Sequence, residues 1–147
     1  MGIIQHAGHQ RIVISLLRQI GNFLDGKPCE VFTAPFDVRL FPEPDSSDKT
    51  VVQPDILVVC DEEKLADNKA CRGAPDFVIE ICSDSSEGRD LIDKKKLYEK
   101  AGVKEYWVVT EKKTYQYILK DNKYEEVLHD IGKKLAVFVL KGCFIDL

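Results

Sequence analysis

Long apolar runs are absent from this sequence of 147 residues. The longest, residues 56–60 and 136–140, have the length of a β-strand and fall far short of the ~20 residues that a membrane helix needs. The N-terminus shows no basic segment followed by an apolar stretch and a cleavage site, which are the marks of a secretory signal. We therefore expect no membrane span and a cytoplasmic location.

Cysteine pairs with a recognisable spacing are also missing. The five cysteines form an odd set without a C-x-x-C motif, and three lie inside apolar runs, where a free cysteine behaves as a small hydrophobic residue. We expect neither a disulfide framework nor a zinc site.

Positive charge is not in excess. The 21 Lys and Arg against 25 Asp and Glu give a net charge of −4, which argues against a protein that coats nucleic acid by bulk attraction. Residues 89–120, however, carry nine basic and five acidic side chains, a local charge of +4. An acidic protein can therefore still present a basic face.

The overall amino-acid composition is that of a folded domain. Hydrophobic residues make up 44% and charged residues 31% of the chain, so we expect a single domain over residues 1–147. Residues 9–24 place apolar side chains at three- and four-residue spacing, which predicts an amphipathic helix. The Asp-Gly-Lys-Pro sequence at 25–28 ends it.

Two apolar runs introduced by Pro-Asp, residues 55–61 and 76–82, have the pattern of central strands buried on both faces. A cluster of N-cap residues at 83–86 and a periodic pattern ending at Gly102 predict a helix after the second run. A strand at 105–110 would then lie parallel to that run. Shorter strands are predicted at 30–33, 36–40, 114–119, 124–128 and 135–140, the last three at the periphery, with a loop at 41–49. The fold class is α/β, with a central mixed β-sheet flanked by helices.

One acidic residue, Glu80, stands inside the run Phe-Val-Ile-Glu-Ile-Cys, where strand alternation groups it with Val78 and Cys82 on one face. Burying a carboxylate there is costly unless a cation, a hydrogen-bond network or a metal compensates it. Asp55 begins the other central run and would meet Glu80 if the two strands are neighbours. Two carboxylates that close repel each other unless a divalent cation neutralises both.

Carboxylates at strand ends suit magnesium, which takes oxygen ligands and keeps several waters, and the carbonyl of Ile81 could add a ligand. A lysine near the cation would orient the attacking water or stabilise charge on the phosphoryl oxygens. The following helix offers Lys94, Lys95 and Lys96, and an i,i+4 pair with Asp90 would fix the direction of Lys94.

Four segments carry a resemblance to a known family. They are Val-Val-Gln-Pro-Asp at 51–55, Gly-Ala-Pro-Asp-Phe-Val-Ile-Glu-Ile at 73–81, Arg-Asp-Leu at 89–91 with Lys94 and Tyr98, and Ala-Gly-Val-Lys-Glu-Tyr-Trp at 101–107. These segments resemble the Uma-type putative restriction endonuclease family, which belongs to the PD-(D/E)xK nuclease-like superfamily. The resemblance covers most of the chain.

The resemblance implies a restriction-endonuclease-like core and a metal-dependent DNA phosphodiesterase. Asp55 and Glu80, with the Ile81 carbonyl, would bind Mg²⁺ or Mn²⁺. The superfamily lysine two residues after the Glu is Cys82 here, and the family's lysine on the following helix corresponds to Lys94. Family members usually carry a leading segment with a further helix and an acidic Tyr-Glu-Leu hairpin, which this sequence is expected to lack. By analogy with enzymes that cut both strands, we expect a homodimer.

Other interpretations stay open. Asp55 could merely close a Pro-Asp turn, Glu80 could form a buried structural ion pair, and the lysines of the helix could be a solvated face. The functional alternatives are a weakened nuclease-like scaffold that binds nucleic acid or a partner protein, and an unrelated hydrolase of phosphate esters. We interpret the remaining candidates as structural: His6, His9, His129, Tyr98, Tyr106 and Trp107.

Overall fold

The core of the protein is one mixed six-stranded β-sheet with a helix on either face. A computed structural model describes residues 6–83 and 89–147. The helices are α1 (Ala7–Leu24) and α2 (Arg89–Ala101), and a 3-10 turn spans Glu62–Leu65. The strands are β1 (Glu30–Thr33), β2 (Val38–Arg39), β3 (Val51–Val52), β4 (Ile56–Val59), β5 (Cys71–Arg72), β6 (Phe77–Ile81), β7 (Glu105–Val109), β8 (Lys113–Lys120), β9 (Lys123–Asp130), β10 (Lys134–Ala136) and β11 (Phe144–Asp146).

The central sheet has the order β1-β4-β6-β7-β8-β9. Only β6 and β7 run parallel, joined by α2, and the other neighbours are antiparallel. The parallel pair is the one predicted from the strand-helix-strand pattern, and the predicted α/β class with a mixed sheet is confirmed. No helix in the described ranges, 6–83 and 89–147, is long and apolar enough to cross a bilayer.

Strand alternation divides the core into two layers. Phe77, Ile79 and Ile81 of β6 pack on the α1 side, together with the apolar stripe of that helix. Val78 faces the other way and packs with Tyr98 of α2 and with neighbouring strands. Because side chains of a strand alternate between faces, Glu80 shares the α2 side with Val78, as the sequence predicts.

The helix ends follow their local signals. The predicted helix at 9–24 is α1, which begins two residues earlier, at Ala7. Gly102 follows α2 with φ of +89° and donates its amide hydrogen to Tyr98 O, as the sequence predicts for the helix stop. Of the predicted cap cluster at 83–86, residues 84–86 lie outside the described residues.

Three of the predicted strands differ from the structure. The strand at 36–40 is reduced to β2, which lies with β3 and β5 in a separate small sheet. The strand at 135–140 is cut to β10 because the chain turns back after Ala136 and pairs with β11, a strand that the sequence pattern did not predict. The hairpin of β8 and β9 is not peripheral, since β8 lies inside the central sheet and only β9 is at its edge.

A disulfide joins Cys29 and Cys60, contrary to the expectation from spacing. The register of β1 and β4 pairs Glu30 with Val59, so the next residues outward, 29 and 60, lie opposite each other. That juxtaposition depends on strand pairing across 31 residues, which cysteine spacing does not encode. Disulfides are rare in reducing compartments, so the cytoplasmic location stays a prediction.

A second buried carboxylate, that of Glu105 in β7, accepts hydrogen bonds from three parts of the chain. Glu105 is fully buried and accepts hydrogen bonds from Trp107 Nε1 at 2.7 Å, Gln116 Nε2 at 2.8 Å and the Val139 amide at 2.9 Å. Burial raises the pKa of Glu105, and the three donors oppose that rise. The network joins β7, β8 and the turn after β10.

Candidate functional site

Two acidic residues meet where β4 begins and β6 ends. The antiparallel register pairs Ile56 with Ile79 and Leu57 with Val78, so one step further places Asp55 opposite Glu80. Directly opposed residues of antiparallel strands point to the same face. The structure therefore brings the two predicted carboxylates together.

Hydrogen bonds cross between the two strand ends. The Asp55 amide donates to Glu80 Oε1 at 3.0 Å, and the Ile81 amide donates to Asp55 Oδ2 at 2.8 Å. Each carboxylate thus accepts a backbone donor from the opposite strand, which holds both side chains at the ends of these strands. Asp55 follows Pro54 just before β4. Its side chain also accepts a hydrogen bond from β6, so it does more than close a turn.

Lys94 lies on the helix side of this pair. Its Nζ donates to Glu80 Oε2 at 2.9 Å, and the Tyr98 hydroxyl, one turn further along α2, lies 3.5 Å from the same oxygen. The Glu80 side chain is 7% exposed and the Lys94 side chain 35%. Burial raises the pKa of the Glu80 carboxyl, and the ammonium of Lys94 opposes that rise. The ion pair that we considered as an alternative role for Glu80 is therefore present. Its partner is Lys94, the lysine predicted for the site.

His9 of α1 is a neighbour that sequence reasoning placed outside the site. Its Nε2 lies 3.5 Å from Asp55 Oδ2, and both side chains are 17% exposed. A signal existed, since His9 lies seven and eleven residues before the fully buried Leu16 and Ile20 and so continues their face of the helix. A polar residue in line with an apolar stripe faces the interior.

The other charged candidates fall outside this group. Lys95 places its Nζ 4.6 Å from the centre of the Tyr117 ring, and Lys96 is exposed. Asp76 accepts the Cys60 amide at 2.9 Å, a structural role. The side chain of Asp90, expected to orient Lys94, lies outside what the structure describes.

The three aromatic candidates are buried, as predicted, whereas of the histidines predicted to be structural His9 contacts the acidic pair in the described part of the chain. Trp107, Tyr98 and Tyr106 are fully buried and leave no ring face open to a base. His129 lies 2.9 Å from the side-chain oxygen of Gln116 on the neighbouring strand. His6 is exposed at the N-cap of α1.

Oxygen atoms of three residues at these strand ends could act as ligands of a hard divalent cation. Within the described ranges Asp55 Oδ1 accepts no hydrogen bond, because both contacts of this carboxylate fall on Oδ2. The Ile81 amide points toward Asp55, which puts the Ile81 carbonyl on the same side of an extended strand. No group of three or more His, Cys, Asp or Glu side chains in the described part of the chain is arranged to hold a metal. A cation would rest on two carboxylates, a carbonyl and waters, a set that fits magnesium.

A cavity beside the start of α1 is not lined by the two carboxylates. That cavity, of about 260 Å³, opens between the first turns of α1 and the turn from β7 to β8, and its charged lining includes Arg11, Glu111 and Lys113. Asp55, Glu80 and Lys94 do not line it. The carboxylates lie instead at the ends of two inner strands, where the Asp55 side chain is 17% exposed and that of Glu80 7%.

The central mixed sheet and its two flanking helices make this a protein of the α/β class. A solved structure described as a putative nuclease belonging to DUF820, from Anabaena variabilis ATCC 29413, superposes with a TM-score of 0.71 at 17% identity, covering 94% of this chain and 76% of that one. The Uma2 family profile, described as a putative restriction endonuclease, matches residues 3–141. The chain belongs to the Uma2 family. No curated protein matches it.

Proposed function

We propose that this protein is a divalent-metal-dependent endonuclease that hydrolyses DNA phosphodiester bonds. The observation that supports the proposal is that Asp55, Glu80 and Lys94 meet at the ends of β4 and β6. The Asp55 amide donates to Glu80 at 3.0 Å, and Lys94 Nζ donates to it at 2.9 Å. The family description supports a nuclease-like function. The DNA substrate and the divalent metal are our proposal.

Each group has a chemical role in such a reaction. Asp55, Glu80 and the Ile81 carbonyl would hold Mg²⁺ or Mn²⁺. When bound, that ion supplies a more acidic water and neutralises charge on the phosphate. Lys94 donates to the oxygen of Glu80 that faces α2, and from that position it orients water or stabilises charge on phosphoryl oxygens.

DNA is the proposed partner, and a homodimer the proposed assembly. The basic excess of residues 89–120 includes the lysines of α2 beside the site, so the phosphate backbone would meet positive charge there. DNA affinity should then fall steeply as salt rises. Light scattering coupled to size exclusion decides the assembly, and a monomeric mass at assay concentrations would contradict the dimer.

A second candidate is a nuclease-like scaffold that binds nucleic acid without cutting. Two observations favour it. Cys82 occupies the strand position where the parent superfamily has its lysine, and Asp55 and Glu80 have no third carboxylate beside them in a metal-holding cluster among the described residues. This candidate predicts DNA binding that survives loss of either acid.

The two candidates separate in a cleavage assay on supercoiled, linear and single-stranded DNA with Mg²⁺ or Mn²⁺. We expect Asp55→Asn and Glu80→Gln to abolish cutting and Lys94→Met to slow it by about 10²–10³-fold. Matched controls are Glu62→Gln and Lys141→Met, both exposed and outside the site and the basic segment 89–120. Wild-type protein that binds DNA but never cuts it would favour the scaffold. Hydrolysis of a simple phosphate ester without DNA cleavage would indicate a different hydrolase.

A further inference from the structure

The imidazole of His9 has an unusual environment for a structural histidine. Its Nδ1 is buried and has no hydrogen-bond partner within the described part of the chain, while its Nε2 faces Asp55 Oδ2 at 3.5 Å. Buried polar atoms are nearly always satisfied, so a ring kept for packing alone would be expected to bond on both sides. The polar contact that His9 does make is to an acidic residue of the site.

Both polar contacts of the Asp55 carboxylate in the described part of the chain fall on the same oxygen. The Ile81 amide and His9 Nε2 both approach Oδ2, one from the sheet and one from α1. A carboxylate held on one oxygen from two directions has its rotation restricted, so the other oxygen, Oδ1, is presented in a fixed direction. Outer partners of this kind orient metal-binding carboxylates.

Helix α1 can hold the ring in place because it is anchored elsewhere. Leu16 and Ile20 are fully buried on the face that His9 continues. The Gln19 side chain exchanges two hydrogen bonds with the backbone of Asp146, at 2.9 and 2.7 Å. The first turn of α1, which carries His9, therefore extends from an anchored helix toward the start of β4.

We propose that His9 is a positioning residue that holds the Asp55 carboxylate so that Oδ1 faces the cation. This role rests on the proposed function, because it needs a cation at Asp55 and Glu80. The alternative role, a direct ligand through Nε2, makes a different prediction for glutamine, whose amide nitrogen reaches the Nε2 position and donates to a carboxylate but binds hard cations only weakly.

The test measures Mn²⁺ affinity from the free-ion paramagnetic resonance signal in the absence of DNA. We expect His9→Ala to weaken Mn²⁺ binding by about 10–100-fold. His9→Gln should recover most of that loss, and His6→Ala, which removes an exposed histidine three residues away, should change nothing. Wild-type affinity in His9→Ala would overturn the role, and a loss that glutamine does not recover would indicate a direct ligand instead.

A metal-free crystal structure of His9→Ala separates this proposal from the endonuclease proposal. We expect the Asp55 side chain to change rotamer or to become disordered when the imidazole is gone. An unchanged Asp55 rotamer would overturn the positioning role, whatever the metal result. Wild-type protein that binds Mn²⁺ no better than Asp55→Asn would instead refute the cation site, and the crystal structure would still decide whether His9 orients Asp55.

Discussion

Replacing Lys94 by methionine removes the ammonium that lies 2.9 Å from the buried Glu80 while keeping the length of the side chain. Removing one partner of a fully buried ion pair costs ~3–5 kcal/mol of folding free energy. Lys94 is about a third exposed, so water screens part of the attraction. We therefore expect Lys94→Met to lower the free energy of unfolding at neutral pH by ~1–3 kcal/mol.

The loss of stability caused by Lys94→Met should depend on pH, because the pKa of Glu80 is shifted in the folded state. Burial raises the pKa of Glu80 in the folded state, so the contribution of this group to stability is fully present below the ordinary carboxyl pKa and is lost as pH rises through the folded value. Lys94 limits that loss by favouring the carboxylate. Without Lys94 the folded pKa of Glu80 rises further, by one unit for each ~1.4 kcal/mol of lost interaction. The cost of Lys94→Met should therefore be large at neutral pH and small in acid.

Urea unfolding followed by circular dichroism, with a chelator present, measures this difference from about pH 4 to pH 8, a range that covers ordinary and raised carboxyl pKa values. Subtracting wild type from variant at each pH removes the contribution of every other carboxylate. Lys96→Met is the matched control, because this exposed neighbour lies on the same helix and outside the site. A destabilisation that is the same at all pH values, or equal in the control, would refute the pairing of Lys94 with an ionised Glu80.

Three further changes test other parts of the structure. Glu80→Gln should abolish cleavage yet leave the free energy of unfolding at neutral pH equal or higher, because burial already disfavours the carboxylate; a large loss of stability would contradict this. Glu105→Ala should lower the free energy of unfolding by roughly 3 kcal/mol or more, since it removes the acceptor of three hydrogen bonds, two of them buried, and a thermal melt near that of wild type would be inconsistent with the network. Cys29→Ser should cost ~2–4 kcal/mol, and reductant should then lower the stability of wild type but not of the variant.

The elements of the site were predictable where their signals are local. The three- and four-residue spacing of α1, the alternation of β6 and the glycine stop after α2 each depend on neighbouring residues only. Glu80 was detectable because a charge inside an apolar run breaks its pattern. The residue pattern narrowed the lysine to three positions of one helix, and the family resemblance selected Lys94. Which of the three reaches Glu80 depends on how α2 is rotated against the sheet.

The sequence by itself determined which segments form the helices and central strands, and that acidic groups stand at the ends of two of those strands. Tertiary structure decided the register that places Asp55 opposite Glu80, and the same kind of pairing sets Cys29 beside Cys60. It also brought His9 of α1 to the site, although His9 lies 46 residues before Asp55 in the chain. The physical reason is that periodicity and capping act within a few residues, whereas strand register and helix packing are settled by contacts between segments far apart in the chain.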